Sequence, residues 1–159
     1  MALEKQIREL GHLLKINKLI LATAESCTGG GLSYLLTRIA GSSVWFDRGF
    51  VTYSNAAKLD MLDVEPLTLE QYGAVSEETA REMAEGALKK SNASISIAIT
   101  GIAGPGGGTD TKPVGTVWFG LAKKDRATIT RVAIFPGDRE EVRLAAIETA
   151  VNELLNYLK

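Results

Sequence analysis

A serine, a cysteine and a threonine stand together in one glycine-rich stretch, Ala24-Glu25-Ser26-Cys27-Thr28-Gly29-Gly30-Gly31. The stretch lies between the apolar run 19–22 and a segment with helical spacing that begins at Leu32, as a strand-to-helix elbow does. Glycines allow positive φ and close approach to a ligand, and the amides that open a helix can hold an anion or an oxyanion. An ordinary βα turn has the same glycine content, so the elbow predicts chemistry only if the chain supplies a partner for Ser26.

A serine hydroxyl is a poor nucleophile until a base takes its proton. The chain has one histidine, His12, and it falls in a segment that reads as a surface helix, so we expect a lysine to be the base. Lys58 is the candidate, because it follows the corner Tyr53-Ser54-Asn55 at the end of a predicted strand. Burial near a helix N-terminus would lower its pKa towards neutrality, and Tyr53 could hydrogen-bond the lysine or carry a proton. Taken singly, Lys58 also fits a solvated helix residue and Tyr53 a strand aromatic.

Cys27 is the competing nucleophile. Together with Glu25 and a lysine it would satisfy the chemistry of a Glu-Lys-Cys amidase, although a free thiol in a tight turn is most often a small buried side chain. Glu25 would then activate the site, or it would orient the loop or the lysine. We therefore keep Ser26 and Cys27 as alternatives, with Ser26 first.

A second glycine-rich loop, 101–108, follows the predicted strand that ends at Thr100. It lacks the lysine of a phosphate-binding P-loop and the spacing of a dinucleotide-binding motif, so we expect its amides to face a carboxamide, a ribose or a phosphate. Arg139 and Arg143 lie four residues apart near the start of the last helix, where a cation opposes the helix dipole. A phosphate between the two guanidinium groups would offset that repulsion. Taken alone, the pair is better explained by a salt-bridged surface with Glu140 and neighbouring acids.

Composition limits the other possibilities. The 159 residues fit one domain, 1–159, and 18 basic against 19 acidic side chains leave a formal net charge of −1, which gives no field for attracting nucleic acid or an anionic membrane. The single cysteine excludes an intramolecular disulfide and a cysteine-rich zinc cluster, and the single histidine makes a His-based metal site or a Ser-His-Asp triad hard to build. No apolar run is long enough to span a bilayer, so we expect a soluble cytoplasmic protein. We also expect neither a metal nor an organic cofactor.

The order of predicted elements indicates a three-layer α/β/α domain with a mixed, mostly parallel sheet and one antiparallel hairpin. Helices are predicted from apolar spacing, and strands from β-branched and aromatic runs. Ser76 and Asp138 are predicted N-caps, Asp138 with Glu141 in a capping box, and Leu144 is predicted in the apolar stripe of the last helix. In such sheets the ends of parallel strands meet at one edge, so the elbow, the corner at Tyr53 and the loop after Thr100 should share a pocket. The predicted helices are 2–16, 32 to about 41, 56–62, 77 to about 92 and a last one after Asp138; the predicted strands are 19–22, 44–54, 94–100, 114–123 and 128–135; and 66–73 is predicted to be a connector.

Six stretches in order resemble the C-terminal domain of the CinA (competence/damage-inducible protein A) family, whose standalone members are nicotinamide-nucleotide amidohydrolases. The resemblance implies hydrolysis of the carboxamide of nicotinamide mononucleotide to nicotinate mononucleotide and ammonia, in pyridine-nucleotide salvage. It implies Ser26 as nucleophile, Lys58 as base and Tyr53 as an assisting residue. The stretches are Ala24–Gly30, Gly41–Phe46, Val51–Lys58, Gly73–Ser76, Ile99–Pro105 and Lys112–Val117. The residues expected to bind substrate are Glu25, Cys27, Thr28, Gly29, Gly30, Ser43, Asn55, Thr100, Gly101, Gly104, Gly107, Arg139 and Arg143.

A function of another class stays open: a nucleotide-binding or interaction module of DNA uptake or damage response that does not turn its ligand over. The near-neutral charge and the absence of a basic stripe count against direct contact with nucleic acid. For either function we expect a small-molecule ligand and a homo-oligomer.

Overall fold

The computed structural model describes residues 2–159. Six helices and five strands follow one another along the chain, with one short 3-10 turn, Ser42–Val44, before the second strand. In chain order they are α1 (Ala2–Ile16), β1 (Leu21–Glu25), α2 (Gly31–Thr37), β2 (Phe46–Val51), α3 (Asn55–Leu62), α4 (Pro66–Tyr72), α5 (Glu77–Lys89), β3 (Ile95–Gly101), β4 (Thr116–Lys123), β5 (Ile129–Ile134) and α6 (Arg139–Leu158).

The five strands form one mixed sheet in the order β2-β1-β3-β4-β5. β1 is parallel to both β2 and β3, whereas β4 is antiparallel to β3 and to β5. Glu25, the last residue of β1, lies opposite Val51 of β2 and Ile99 of β3. The carboxyl ends of the three parallel strands therefore meet at one edge, and the predicted fold class is confirmed.

Helices cover both faces of the sheet. On one face α1, α2 and α6 pack on the sheet and contribute Leu10, Leu36 and Val151 to the larger core. On the other face α5 packs on β1, β3 and β4, with α3 beside it, in a smaller core that includes Met83 and Ala98. Because β1 and β3 are covered on both faces, almost all their residues are buried, as in other sheets of this kind.

Two glycines of the smaller layer permit close packing. A Cβ on Gly86 of α5 would overlap the Leu62 carbonyl at the end of α3, and a Cβ on Gly120 of β4 would overlap the Ala80 carbonyl of α5. Both positions therefore need glycine for the close approach of backbones. This packing fixes the position of α3, the helix that carries Lys58, relative to α5 and the sheet.

The structure corrects three predictions. The predicted connector 66–73 contains the helix α4, which begins at Pro66 and is tied to α5 by a 2.6 Å hydrogen bond from the Thr68 hydroxyl to Glu82. α2 ends at Thr37, four residues before the predicted end. Leu144 was expected in the buried stripe of α6 but is 51% exposed, because Val142 and Ala146 occupy the side that faces the sheet.

The predicted N-caps agree with the structure. The Ser76 hydroxyl accepts a hydrogen bond from the Thr79 amide at the start of α5, and Asp138 and Glu141 form a reciprocal capping box at the start of α6. No helix within residues 2–159 combines the length and the apolar character that crossing a bilayer requires.

Candidate active site

The glycine elbow presents Ser26 directly after β1. The Ser26 amide donates to the Ile99 carbonyl of β3 at 3.0 Å, and the Ser26 carbonyl accepts from the Gly29 amide at 3.0 Å. Gly29 and Gly30 adopt φ values of 58° and 97°, in the left-handed region that favours glycine. The backbone on both sides of the serine is thereby fixed to the sheet and to the start of α2.

Lys58 lies opposite Ser26. Its Nζ is 3.0 Å from the Ser26 Oγ, 2.8 Å from the Thr52 carbonyl oxygen and 3.1 Å from the Tyr53 carbonyl oxygen. The Ser54 hydroxyl accepts from the Ala57 amide and starts α3, so that Lys58 falls one turn into the helix and points back to the end of β2. Lys58 is 1% exposed, although lysine is almost never found fully buried.

Burial lowers the pKa of Lys58 from 10.5 to about 8, so a substantial fraction of its amine is neutral near physiological pH. A neutral amine has two N–H donors and one lone pair. In the structure Nζ donates to the Ser26 Oγ and to both carbonyl oxygens, which uses the three N–H donors of the charged form. Loss of the proton between Nζ and Oγ leaves the two carbonyl bonds in place and turns the lone pair towards the Ser26 hydroxyl. The pair can therefore activate a serine without histidine.

Burial acts in the opposite direction on Cys27, because a thiol is neutral when protonated and a lysine when deprotonated. It raises the pKa of the Cys27 thiol from 9.0 to about 11, so the thiol stays protonated and unreactive near neutral pH. Cys27 is 5% exposed and belongs to the larger core. Of the two candidate nucleophiles, Ser26 hydrogen-bonds the Lys58 amine and Cys27 does not, within residues 2–159.

A cavity of about 290 Å³ opens from Ser26 and Lys58 towards the second glycine loop. The Arg139 guanidinium lies across it, donating to the Gly104 carbonyl at 2.9 Å and to the Tyr53 phenol oxygen at 3.1 Å. The predicted residues that line the cavity are Ser26, Cys27, Tyr53, Lys58, Thr100, Gly101, Gly104, Gly107 and Arg139. The candidate nucleophile Ser26, the candidate base Lys58, Arg139 and the glycine loop thus face one space that is large enough for a small molecule.

Known proteins share this arrangement of elements. The family model "CinA C-terminal domain" matches residues 3–158. The chain belongs to the CinA C-terminal domain family. It is 52% identical to "Nicotinamide-nucleotide amidohydrolase PncC" of Enterobacter agglomerans, over 96% of this chain and 98% of that protein, and 52% identical to the protein of the same name from Escherichia coli K12, over 92% and 88%.

Longer relatives and solved structures agree with the family. A CinA-like protein of Chloroherpeton thalassium is 51% identical over 98% of this chain, which spans 38% of that relative. The crystal structure of competence/damage inducible protein CihA from Agrobacterium tumefaciens superposes with a TM-score of 0.97 at 44% identity, covering 100% of this chain and 97% of that one. A CinA superfamily protein of Escherichia coli superposes with a TM-score of 0.94 at 42% identity, covering 98% and 90%.

Two residues expected in the pocket of this CinA domain lie elsewhere. Ser43 is exposed in the 3-10 turn before β2, at the amino ends of the parallel strands and therefore at the opposite edge of the sheet. Asn55 is the exposed first residue of α3 and does not line the cavity. The predicted strand 44–54 already puts Ser43 at its amino end, so the expected place of Ser43 in the pocket came from the family resemblance alone.

Three others act behind the elbow or from its rim. Glu25 and Thr28 are each 1% exposed and hydrogen-bond one another at 2.6 Å, without lining the cavity. Arg143 lies against the elbow, with its guanidinium 3.5 Å from the Thr28 carbonyl oxygen and its buried Nε without a partner among residues 2–159. The arginine nearest the cavity is therefore Arg139.

Tyr53 reaches the site in a way that the sequence did not indicate. Its main-chain carbonyl accepts hydrogen bonds from Lys58 and Ser26, whereas its phenol is turned away to Arg139 and the residue is 61% exposed. Sequence reasoning also missed Thr52, whose carbonyl holds Lys58, and Ala74, whose carbonyl accepts a 2.8 Å hydrogen bond from Thr100. Main-chain carbonyls carry no residue-type signal, so no sequence pattern could reveal them.

No group of three or more His, Cys, Asp or Glu side chains within residues 2–159 is arranged to hold a metal ion.

Proposed function

We propose that this protein hydrolyses the carboxamide of nicotinamide mononucleotide to nicotinate mononucleotide and ammonia, as an amidohydrolase of pyridine-nucleotide salvage. The names of two relatives that are 52% identical over most of both chains support the substrate. One structural observation supports the chemistry most directly. The amine of Lys58, with its lowered pKa, lies 3.0 Å from the Ser26 hydroxyl oxygen, and both residues line the cavity.

In the proposed reaction neutral Lys58 takes the proton of Ser26 as the Oγ attacks the carboxamide carbon. The protonated lysine then gives that proton to the departing nitrogen, and ammonia leaves an ester on Ser26. A water molecule, deprotonated by the same amine, attacks the ester, and the carboxylic acid and the free serine result. Atoms and protons balance with water as the only co-reactant.

The negative charge that develops on the carboxamide oxygen needs hydrogen-bond donors in place before the reaction. Within residues 2–159 the main-chain N–H groups of Cys27 and Thr28 donate to no acceptor on another residue. The Cys27 amide directly follows the nucleophile, and Cys27 lines the cavity. We assign the oxyanion site to these two amides of the elbow.

The nucleotide part of the substrate would lie along the open loop and towards α6. Arg139 donates to Gly104 and Tyr53, and its planar group has five N–H donors in all, so donors are left for the phosphate oxygens. Arg143, one turn along α6, adds positive charge beside Thr28. The phosphate is thereby assigned chiefly to Arg139, and the ribose to the amides near Gly104 and Gly107.

The direct test is the incubation of the purified protein with nicotinamide mononucleotide, with and without a strong chelator. The proposal predicts equal amounts of ammonia and nicotinate mononucleotide, at a rate that the chelator does not change. Tight binding of the nucleotide with no product after long incubation would instead support the non-catalytic binding module.

A further inference from the structure

Glu25 is the most fully hydrogen-bonded side chain of the elbow, and it does not line the cavity. Its Oε1 accepts from the Thr28 hydroxyl at 2.6 Å and the Leu32 amide at 2.9 Å. Its Oε2 accepts from the Ser33 amide at 2.9 Å and the Ser33 hydroxyl at 2.7 Å. Two carboxylate oxygens offer about four lone-pair sites. All four are taken by the protein, so none is left for a ligand.

These bonds occupy the amides that a substrate anion would otherwise meet at the start of α2. A helix begins with amides that have no partner within the helix. Gly31 donates to the Thr28 carbonyl, and the next two amides, of Leu32 and Ser33, donate to Glu25. Within residues 25–31 the amides without an acceptor are those of Cys27, Thr28 and Gly30, and the first two directly follow Ser26.

A second layer holds the carboxylate in turn. Since the Ser33 hydroxyl donates to Glu25, it accepts from the buried Thr23 hydroxyl at 2.8 Å. Gly49 of β2 packs directly on this pair, and any Cβ there would overlap both hydroxyl groups. Because Thr23 and Glu25 belong to the same strand, the chain of hydrogen bonds ties the start of α2 back to β1.

We infer that Glu25 is a positioning residue for the hydrolysis, which fixes the Ser26 Oγ against Lys58 and aims the elbow amides at the oxyanion. This assignment replaces the substrate contact expected for Glu25 from the sequence, and it rests on the proposed function for its reaction. Glu25 itself touches neither Lys58 nor the cavity. Its action on the chemistry runs through the four bonds that hold residues 26–33 in one arrangement.

The deciding variant is Glu25→Gln, which keeps the shape of the side chain. It replaces one acceptor oxygen by an NH₂ group that faces the N–H and O–H donors of the elbow and of α2. We expect kcat for ammonia release from nicotinamide mononucleotide to fall about 100-fold, because a displacement of roughly 1 Å at a reacting group has that effect. KM and the dissociation constant of nicotinate mononucleotide should stay within about threefold. Far-ultraviolet circular dichroism and the unfolding temperature measure the folded fraction, to which kcat is normalised.

Two further variants keep the test decisive if Glu25→Gln folds poorly. Thr28→Val removes one donor and should lower kcat about fivefold, the equivalent of one hydrogen bond of ordinary strength. The matched control is Thr37→Val at the end of α2, because the Thr37 hydroxyl donates to main-chain carbonyls of Ser33 and Tyr34 and makes no hydrogen bond to Glu25. This control should keep the wild-type kcat.

A readout without the nucleotide separates the two proposals. A small fluorophosphonate forms a phosphorus–oxygen bond with the Ser26 Oγ, fluoride leaves and the hydroxyl proton passes to Lys58, so the labelling rate measures the serine alone. Slower labelling of Glu25→Gln than of the wild type supports the positioning role. If the wild type also releases no ammonia, the absence of ammonia contradicts the proposed function and leaves the positioning role supported. Equal labelling rates, or a raised KM with unchanged kcat, would overturn the positioning role.

Discussion

The two glycine-rich segments of this molecule have similar composition and opposite character. The elbow, 25–31, is largely buried, and Glu25, Cys27 and Thr28 are exposed by 1%, 5% and 1%. The loop that follows β3 is exposed from residue 105 to residue 110. Its two ends are joined by backbone hydrogen bonds: the Ile102 amide donates to the Thr116 carbonyl, and the Gly115 amide donates to the Ile102 carbonyl.

Glycine has a different role in each segment: it permits a tight, fixed turn in the elbow and leaves the backbone accessible in the loop. In the elbow, positive φ at Gly29 and Gly30 allows a tight turn. The Ser26 amide bonds to β3, and the Glu25 carboxylate is held by Thr28 and by the first turn of α2. In the loop, Gly106 has no atom within 4 Å of the position of a Cβ, so the backbone there is open to a ligand. In the proposed reaction the elbow would therefore hold Ser26 in place, and the open loop would leave room for the rest of the substrate.

The strongest test of this contrast compares Lys58, the lysine of α3 that contacts Ser26 of the elbow, with Lys112 of the loop. Lys58→Ala removes the base, and kcat should fall about 10³-fold, within the range for general-base catalysis. Lys112→Ala, in the loop, removes a hydrogen bond to the Tyr72 carbonyl and should leave kcat within about twofold. Steady-state ammonia release measures both. Equal losses in the two variants would show that the elbow has no special role.

The protonation of Lys58 gives a second test, on stability. Its pKa is about 8 in the folded protein and 10.5 in an unfolded chain. Between these values the unfolded chain binds the extra proton, so raising the pH favours the folded state, by up to about 3 kcal/mol in the free energy of unfolding. Urea unfolding at pH 7 to 10 should show this rise in the wild type, and Lys58→Met should lack it. Parallel pH profiles of the two proteins would contradict a buried, neutral lysine.

The same amine predicts the pH dependence of the reaction. Because only neutral Lys58 acts as a base, kcat/KM should increase with pH through a single step near the pKa of about 8 and become constant above it. A profile that falls over this range would assign the catalytic base to another group.

Packing behind the elbow is the third test. Gly49→Ala places a methyl group on the Thr23 and Ser33 hydroxyls and should lower the free energy of unfolding by about 1–3 kcal/mol, as overpacking does. Gly106→Ala, in the open loop, should change it by less than about 0.5 kcal/mol. Chemical denaturation compares the two. If Gly49→Ala is as stable as Gly106→Ala, the elbow is not rigidly supported.

The smallest expected effect concerns substrate binding at the rim. Arg139→Met removes the guanidinium that lies between Gly104 and Tyr53, and KM for nicotinamide mononucleotide should rise about tenfold with kcat within about threefold. Arg139→Lys keeps the charge but loses the planar fork, and should lie between the wild type and Arg139→Met. An unchanged KM in both variants would show that Arg139 does not bind the phosphate.

Much of this architecture follows from the sequence alone. The parallel order of β1, β2 and β3 was implied by apolar strands alternating with helices, and it places the ends of all three at one edge. That edge is where the sequence predicted Ser26, Lys58 and Thr100 to meet. The N-caps Ser76 and Asp138 are local signals, and they are observed as predicted.

What the sequence could not indicate depends on contacts between distant residues. Glu25 next to a candidate nucleophile reads as a substrate or catalytic group, and only the fold shows that Leu32 and Ser33 saturate it. The short helix α4 has weak local signals and is held by Glu82 of α5. Ser43 lies in a family-like stretch, yet at the opposite edge of the sheet from Ser26.

The central claim is that Ser26, activated by Lys58, attacks the carboxamide, while the neighbouring thiol does not. Ammonia release from nicotinamide mononucleotide by Ser26→Ala and Cys27→Ala tests it most directly, with the folded fraction of each variant measured alongside. The structure predicts a loss of about 10³-fold or more in kcat for Ser26→Ala and of less than about tenfold for Cys27→Ala. Normal turnover by Ser26→Ala together with lost turnover by Cys27→Ala would contradict it.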